Sequence, residues 1–281
     1  MGYFLPLTNI IPSRLQRIRD ENATRNILWD RFYGHDWGEV TTNNYGYAPA
    51  EGDAPERFQF QMYDEHLKAL EASGRLKAHT DLLEVSCGRG GGLAHLAGRW
   101  PGALAAVGLD WSENALATCR ERHRRFANLS FVRGDALALP FAEASFDVVL
   151  NVEASNDYRD YAAFFREVTR VLRPGGVLLY CDTRRPDRIV RTEEALREAG
   201  LSGELRDITA NVLEACRLDT PRRQALMRRR VPWLYRIVLR KVLDNYAATI
   251  GSERFDDFRQ GRRKYVMACA VNSAPSPAQE R

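Results

Sequence analysis

The chain has 281 residues, 44% of them hydrophobic and 28% charged, and its formal net charge at pH 7 is +4. This composition is ordinary for a soluble globular protein, with ample material for one decorated α/β domain or two small domains. The mild charge argues against a nucleic-acid partner. The arginine runs at 222–223 and 228–230 are interpreted mainly as solvated helix faces, because no repeated aromatic interleaving accompanies them.

Cysteine spacing and hydropathy exclude further classes. The five cysteines are scattered singly without a CxxC pair, which argues against a disulfide framework and a zinc site. No His, Asp and Glu cluster has the spacing of metal ligands. No apolar run approaches the ~20 residues that span a bilayer, and the start, Met1 to Leu7, lacks the charged region of a secretory signal. We therefore expect a cytoplasmic protein without a metal.

The N-terminal part, residues 1–80, is rich in aromatic side chains. Spacing predicts helices over 13–34 and 56–74, joined by a loop rich in Gly, Pro and Asn over 41–55. Such a segment acts either as a lid over an apolar substrate or as a plain packed cap. Under the lid hypothesis, the candidate substrate contacts in this part are Tyr33, Trp37, Tyr45 and Tyr47.

The strongest local signal is the stretch 81–92, DLLEVSCGRGGG. A short apolar run with an acidic residue leads into a glycine-rich turn, and a helical pattern follows from Leu93 to Ala97. This order predicts a buried strand, a tight loop and a helix. Glycines let the backbone approach a ligand closely, and the helix start offers free N–H groups. Several nucleotide-like cofactors use such a turn, so it predicts a cofactor site without identifying the cofactor.

Four more strands are predicted, over 105–110, 129–135, 145–151 and 177–182, with helices after Ser112 and over 158–173. Strands that alternate with helices predict a parallel sheet with right-handed crossovers. Ligands then bind at the carboxyl ends of the strands. The polar residues at those ends are Glu84, Asp110, Asp135, Asn151 and Asp182.

Two of these acidic residues, Asp110 and Asp135, lie where a sheet of this type contacts a bound nucleoside. Asp110 lies at the tip of the second strand, where a carboxylate can accept hydrogen bonds from both ribose hydroxyls, and Trp111 is placed to border an adenine. Asp135 and Ala136, after the third strand, could read the adenine amine through a carboxylate and a backbone N–H.

The last third of the sequence predicts fewer features. Residues 191–200 and 232–250 are predicted helices, 204–230 is mixed, and 265–271 is a final strand. The second helix carries an apolar stripe of Leu234, Ile237, Val238 and Val242. The predicted organisation is a lid (1–80), a cofactor-binding core (81–185), a helical insertion with closing strands (186–272) and a disordered tail (273–281).

At this point the chain resembles the class I S-adenosylmethionine-dependent methyltransferases. The matching stretches cover roughly 80–185: 83–90, 108–110, 134–136 with 139–141, 146–153 and 171–176. More narrowly it looks like the bacterial small-molecule subgroup that includes the phthiotriol and phenolphthiodiolone dimycocerosate methyltransferases. That likeness rests on 84–92, 151–155 and the ending around 264–268.

The resemblance implies a Rossmann-like α/β fold with a mostly parallel seven-stranded sheet, helices on both faces, an N-terminal helical lid and a late helical insertion. It also implies S-adenosylmethionine as cofactor and a hydrophobic natural product as substrate, such as a polyketide, phenolic or terpenoid. The residues implied to line the cofactor site are Glu84, Ser86, Gly88, Gly90, Asp110, Trp111, Asp135, Ala136 and Asn151. Glu153 and Asp157 are two further candidate contacts of the substrate.

Two positions depart from the family pattern. Ser86 stands where the family at large has its first glycine, and Asn156 stands where the subgroup usually has histidine. That histidine is a candidate general base in related enzymes, whereas Asn cannot take a proton at neutral pH. The catalytic candidates are therefore Asp182, for substrate orientation or proton removal, and Asn156, which can orient a substrate by hydrogen bonds. Proton removal by Asp157, or by no residue of the protein, stays open.

The sequence leaves the reaction open. O-methylation is favoured over C-methylation of an alkene or prenyl group with carbocation cyclisation, for which aromatic side chains would stabilise the cation. A cyclase that binds the cofactor without methyl transfer is a third reading, and a non-enzymatic binding module a fourth. A dehydrogenase does not explain the Leu-Arg-Pro-Gly-Gly stretch at 172–176. Homo-oligomer formation stays open.

Overall fold

A computed structural model describes residues 21–100 and 104–273, which form one mixed β-sheet with helices on both faces. The predicted tail beyond 273 and the predicted helical residues 13–20 lie outside the described residues. The strands are β1 (Thr80–Val85), β2 (Leu104–Asp110), β3 (Leu129–Arg133), β4 (Phe146–Val152), β5 (Leu172–Arg184), β6 (Leu201–Ser202), β7 (Arg206–Asp207) and β8 (Lys264–Asn272).

The sheet order is β3-β2-β1-β4-β5-β8-β6, and β7 also pairs with β8. Strands β1 to β5 are parallel to one another, whereas β8 is antiparallel to β5. The two-residue strands β6 and β7 pair with opposite ends of β8. The predicted seven positions are therefore present, and the seventh is divided between two short strands.

Ten helical segments accompany these strands in the described part of the chain. They are α1 (Glu21–Gly34), α2 (Arg57–Ala72), α3 (Gly91–Arg99), α4 (Glu113–Arg122), a 3-10 turn (Ser155–Asp157), α5 (Tyr161–Val171), α6 (Pro186–Glu198), α7 (Thr209–Arg230), α8 (Trp233–Tyr246) and α9 (Glu253–Arg259). Ser112 caps α4 as predicted, its hydroxyl accepting a hydrogen bond from the Ala115 N–H.

Alternating strand side chains fill two cores, one on each face of the sheet. On β5, Val177 and Leu179 point toward the core covered by α2, α3, α7 and α9, whereas Leu178 and Tyr180 point toward the core covered by α5 and α6. Parallel strands buried on both faces are expected for this topology. The layering puts the carboxyl ends of β1, β2 and β4 at one edge, open to ligands.

Two predicted segments differ in the structure. Strand β5 begins at Leu172, which pairs with Phe146, so residues 174–176 form an irregularity within the strand instead of a stop before it; Gly175, with φ of 75°, permits the bend. The mixed segment 204–230 is mainly the single helix α7, which continues through Pro221. The apolar stripe of α8 is exposed to solvent.

Candidate functional site

The glycine-rich loop after β1 is held in left-handed backbone conformations. Ser86, Gly88 and Gly90 have φ values of 60°, 56° and 71°, so the serine that replaces the family glycine still adopts a conformation that favours glycine. A Cβ on Gly88 would lie 2.9 Å from the Tyr33 hydroxyl. The absent side chain therefore lets α1 close over the loop.

A first cavity of about 350 Å³ opens at the carboxyl ends of the parallel strands. Six of the nine predicted cofactor residues line it: Ser86, Gly88, Asp110, Trp111, Asp135 and Ala136. The structure brings these six residues together because each lies at or just after the end of a strand, and the strand ends meet at one edge of the sheet.

Asp110 is the most firmly positioned acid in this cavity. Its Oδ2 accepts a hydrogen bond from the Gly88 N–H at 2.8 Å, and its Oδ1 accepts one from the Ser112 N–H at 2.9 Å. Burial raises its pKa to about 6 against the lowering effect of these N–H donors. The carboxylate is thus fixed in orientation before any ligand binds.

Three predicted cofactor residues do not line the cavity. Glu84 is buried behind the loop, where its Oε1 accepts the Tyr63 hydroxyl at 3.0 Å, and burial raises its pKa to about 8. Gly90 precedes α3, and a Cβ there would lie 2.9 Å from the Phe131 ring. Asn151 donates to the Val85 carbonyl and to the Tyr158 hydroxyl, both at 3.0 Å. These three residues support the cavity wall from behind.

A second cavity of about 380 Å³ adjoins the first. Of the predicted substrate and catalytic residues, Trp37, Tyr45, Asn156 and Asp182 line it, whereas Tyr33 lines the first cavity and Tyr47 packs in the core. Further apolar lining residues come from α1, α7 and α8 and include Trp29, Phe32, Leu226, Met227, Val242 and Leu243. The spacing of residues in the sequence could not predict that these side chains lie together, because they come from opposite ends of the chain.

Glu153 lies where the two cavities meet, and it lines both, as does Asp157. It has a φ of 52°, in the left-handed region that non-glycine residues rarely adopt. Its Oε1 accepts hydrogen bonds from the Tyr45 N–H at 2.6 Å and from the Tyr265 hydroxyl at 2.5 Å. Burial raises its pKa to about 7, although both donors lower it. A carboxyl group with this pKa can exchange a proton near neutral pH.

Asp182, the first catalytic candidate from the sequence, is engaged in structural contacts. Its Oδ2 accepts hydrogen bonds from the Ser155 hydroxyl and the Asn156 N–H, both at 2.7 Å. Arg184 lies 3.2 Å from the same oxygen. These contacts fix the turn that carries Glu153 and Asn156, so the geometry favours Asp182 as a positioning residue.

Several arginines contribute to the second cavity, which corrects the interpretation of the run at 222–223 as a solvated face. Arg223 is buried, 2.9 Å from Asp219 Oδ2, and it donates to the Tyr45 carbonyl at 2.6 Å. Arg89 lies with its guanidinium 5.2 Å from the Tyr33 ring centroid. Its Nη2 has no hydrogen-bond partner among the described residues. Arg254 also lines this cavity.

The residues that the structure describes contain neither a candidate metal site nor a candidate membrane-spanning helix. No group of three or more His, Cys, Asp and Glu side chains is arranged to hold a metal ion. No helix there combines the length and the apolar character that crossing a membrane requires.

Comparison with known proteins identifies the family. A family model described as "Methyltransferase domain" matches residues 83–180. A probable phthiotriol/phenolphthiotriol dimycocerosates methyltransferase 2 of Mycobacterium ulcerans is 39% identical over 71% of this chain and 74% of its own length. The chain belongs to the S-adenosylmethionine-dependent methyltransferases.

Two further comparisons cover nearly the whole length of this methyltransferase. A fatty-acid O-methyltransferase of Mycolicibacterium smegmatis is 32% identical over 94% of this chain and 92% of its own. The crystal structure of the cyclase SpnF superposes with a TM-score of 0.70 at 19% identity, covering 90% of this chain and 97% of that one. The likeness to SpnF shows the fold alone.

The cofactor of this methyltransferase is S-adenosylmethionine, and the first cavity has the chemistry to bind it. Asp110 presents a carboxylate held by two backbone N–H groups, and Asp135 provides a second carboxylate at the same edge. A ribose diol and an adenine amine are donors that such acceptors satisfy. The residues present therefore fit the cofactor.

Proposed function

We propose that this methyltransferase methylates a hydroxyl oxygen of a hydrophobic small molecule bound in the second cavity, and that Glu153 accepts the hydroxyl proton. The observation that carries the proposal is the position of Glu153, a half-buried carboxyl with a pKa of about 7 that lines both cavities. Proton acceptance and methyl transfer must occur within a few ångströms of each other, and only a group at the junction meets that condition.

Cofactor contacts are proposed residue by residue. Asp110 would accept hydrogen bonds from the ribose hydroxyls, and Asp135 with Ala136 would bind the adenine, whose edge Trp111 would border. When bound, S-adenosylmethionine supplies an electrophilic methyl group on a positively charged sulfur. Ser86 and Tyr158, whose side-chain oxygens are 2.7 Å apart, would border its methionine end.

The acceptor site combines an apolar wall with a polar end. Trp29, Phe32 and Met227 form part of the wall, while Glu153, Asn156 and Arg254 form the polar end. An apolar wall with a few polar groups is typical of sites that bind small hydrophobic ligands. The relatives act, by their names, on phthiotriol dimycocerosates and fatty acids, which supports a lipid-like acceptor here. Residues 21–80 would form the described part of the lid, because α1 contributes to both cavities.

In this proposal Glu153 is the general base, the role for which the histidine of the subgroup is a candidate. The Tyr45 N–H and the Tyr265 hydroxyl both bind Oε1, and no hydrogen bond to Oε2 is made by the described residues. Oε2 is therefore the oxygen available to an acceptor hydroxyl. The side chain of Asn156 lines the same cavity and can orient the acceptor by hydrogen bonding.

A second candidate reaction is methyl ester formation on a carboxylic acid. The observation that favours it is Arg254, which lines the second cavity and has no ion-pair partner among the described residues. Arginine binds carboxylates through two parallel hydrogen bonds. An ionised carboxylate is already a nucleophile and needs no base, so the two reactions differ in their need for Glu153.

The test uses a long-chain phenol or alcohol and the matching fatty acid, with purified full-length protein and isotopically labelled S-adenosylmethionine. Glu153→Gln keeps both acceptor hydrogen bonds of Oε1 but cannot take a proton, so we expect kcat for the hydroxyl acceptor to fall about 100- to 10,000-fold. Methylation of the carboxylic acid would instead tolerate this change and show a raised KM in Arg254→Gln.

The control variant is Glu194→Gln, an exposed carboxyl on α6 away from both cavities; it should behave as the unaltered protein. Full activity of Glu153→Gln on the hydroxyl acceptor would contradict the proposed proton acceptor. A product without added mass, formed equally well with S-adenosylhomocysteine, would contradict methyl transfer and indicate a cyclase. A methyl group found on carbon would indicate C-methylation.

A further inference from the structure

Helix α8 carries a continuous apolar face that the described part of the protein leaves uncovered. Its side chains are more than half exposed: Trp233 66%, Leu234 56%, Ile237 67%, Val238 63% and Val242 63%. Single exposed apolar residues are common, but five on one helix face form a patch of the kind that marks an interaction surface. The stripe predicted from the sequence thus exists but does not contribute to the core.

Positive charge predominates along this part of the chain. Between residues 228 and 246 the sequence contains six arginines and lysines and a single acid, Asp244. Asp244 is 26% exposed and lies 3.6 Å from Arg240. Arg228 and Arg240 are exposed and line a surface depression together with Trp233 and Ile237, and Lys241 on α8 is also exposed. The face is therefore complementary to a surface that is both apolar and negatively charged.

The same helix forms part of the wall of the acceptor cavity. Val242 is exposed at the outer face and also lines that cavity. Leu243 and Met227 line both the cavity and a shallow surface depression between α7 and α8, which also includes Trp233 and Ile237. Apolar surface therefore continues from the outside of α8 to the place where the acceptor binds.

We propose that α8 docks this methyltransferase on the surface of an anionic lipid bilayer, with its apolar face in the interface and its arginines and lysine at the headgroups. A helix with Trp, Leu, Ile and Val on one face, cations at the edges and almost no acids has the character of an interfacial helix. The docking is independent of the reaction. Its consequence, that a lipid-like acceptor enters the cavity along α8 directly from the bilayer, rests on the proposed function.

The test is vesicle flotation of the full-length protein, without cofactor or acceptor, so that its result is separate from methyl transfer. Vesicles of phosphatidylglycerol mixed with phosphatidylcholine should bind the protein, and phosphatidylcholine alone should bind it much less. The variant Ile237→Asn with Val238→Asn should lower the partition coefficient at least tenfold. Arg240→Gln with Lys241→Gln should lower it by about tenfold or more, and only on the anionic vesicles.

Matched controls exist on the other side of the sheet. Val190 on α6 is 59% exposed, and Arg191 beside it is also exposed, so Val190→Asn and Arg191→Gln remove the same chemistry elsewhere and should bind as the unaltered protein does. Since all the altered residues are exposed, circular dichroism should show every variant folded.

Three outcomes would overturn the proposal: no flotation of the unaltered protein with anionic vesicles at low salt, flotation unchanged in the α8 variants, or a dimer in sedimentation equilibrium that Ile237→Asn with Val238→Asn dissolves. The last result would assign the face to a second copy of the chain.

Discussion

The environment of Glu153 depends on residues that are remote in the sequence. Tyr265, which donates to its carboxylate, is separated from it by 112 positions, and Tyr45 by 108. The pattern of strand four predicted where Glu153 lies, and the resemblance assigned it to the substrate. The strand pattern could not predict the burial that raises the pKa of Glu153, because this burial depends on α1, the loop before α2 and β8 together. For that reason the sequence predicts Asp182, and not Glu153, as the residue that orients the substrate or removes its proton.

The pKa of Glu153 leads to a prediction of pH dependence. Below a pH of about 7 the carboxyl is protonated and cannot accept a proton, and above it the carboxylate is present. Asp182 raises this pKa and Arg223 lowers it. We expect kcat/KM for a hydroxyl acceptor to rise with pH, to reach half its maximum at about pH 7 and to level off above that pH. The positive sulfur of the cofactor favours the carboxylate and moves this midpoint to a somewhat lower pH.

The measurement is a steady-state pH profile at saturating cofactor. The residual rate of Glu153→Gln should lack this ionisation. A profile that keeps it in the variant would assign the ionisation to another group.

Asp110→Asn tests the cofactor site at the scale of one residue. The substitution removes the charge and replaces one carboxylate oxygen by a donor, while the Gly88 and Ser112 N–H groups still need acceptors. A hydrogen bond to a charged group contributes about 1.5–3 kcal/mol. We expect the Kd for S-adenosylhomocysteine to rise by about ten- to a hundredfold in isothermal titration calorimetry. Asp187→Asn, an exposed carboxyl on α6, serves as control, and an unchanged Kd in Asp110→Asn would contradict the assignment.

At the scale of elements, the sequence predicted what is encoded locally. Strands β1 to β4 and the helices between them are predicted by short apolar runs, a cap at Ser112 and a glycine loop. Each of these signals lies within a few residues of the element that it predicts. Helix α7 was not predicted as one element, because its stability depends on contacts with distant parts of the chain. Arg223 donates to the Tyr45 carbonyl, which is 178 positions away, and to the Ala247 carbonyl.

The buried ion pair of α7 has a testable energy. Arg223→Met would leave Asp219 buried with Arg222 as its remaining cation, and would leave two carbonyl oxygens without their donor. Breaking a buried pair from one side costs about 3–5 kcal/mol. We expect the free energy of unfolding to fall by that amount in urea denaturation.

Arg217→Met on the same helix removes an exposed pair with Glu214. It should leave the free energy of unfolding nearly unchanged, because exposed ion pairs contribute little to stability. Equal losses in the two variants would show that the buried pair makes no special contribution.

At the scale of the whole molecule, the two cavities differ in how they are built. The first lies where the strands of one continuous segment end, so the parallel topology alone predicted it. The second is enclosed by α1, the loop before α2, α7, α8 and the start of α9. These elements come from both ends of the chain, and all of them except α9, which contributes Arg254, provide apolar residues that a sequence reading would place in an ordinary core. The class of acceptor is consequently harder to predict than the cofactor.

Cofactor binding should stabilise the molecule as a whole, because the first cavity exists only in the folded state. A ligand at a hundred times its Kd adds about 2.7 kcal/mol to the free energy of unfolding, which corresponds to a rise in Tm of roughly 5 °C for a domain of this size. Differential scanning fluorimetry with S-adenosylhomocysteine should show this rise. At the same ligand concentration Asp110→Asn should show a smaller one, and equal shifts would place the binding elsewhere.

The position of Glu153 on both cavities makes cofactor exchange sensitive to protons. A positive sulfur nearby favours the carboxylate, so binding of S-adenosylmethionine should release a fraction of a proton near neutral pH, whereas the uncharged sulfur of the product should not. Reciprocity then requires that raising the pH strengthen the affinity for substrate cofactor more than for product cofactor. A single carboxyl between the two cavities would thus relieve product inhibition as the solution becomes more alkaline.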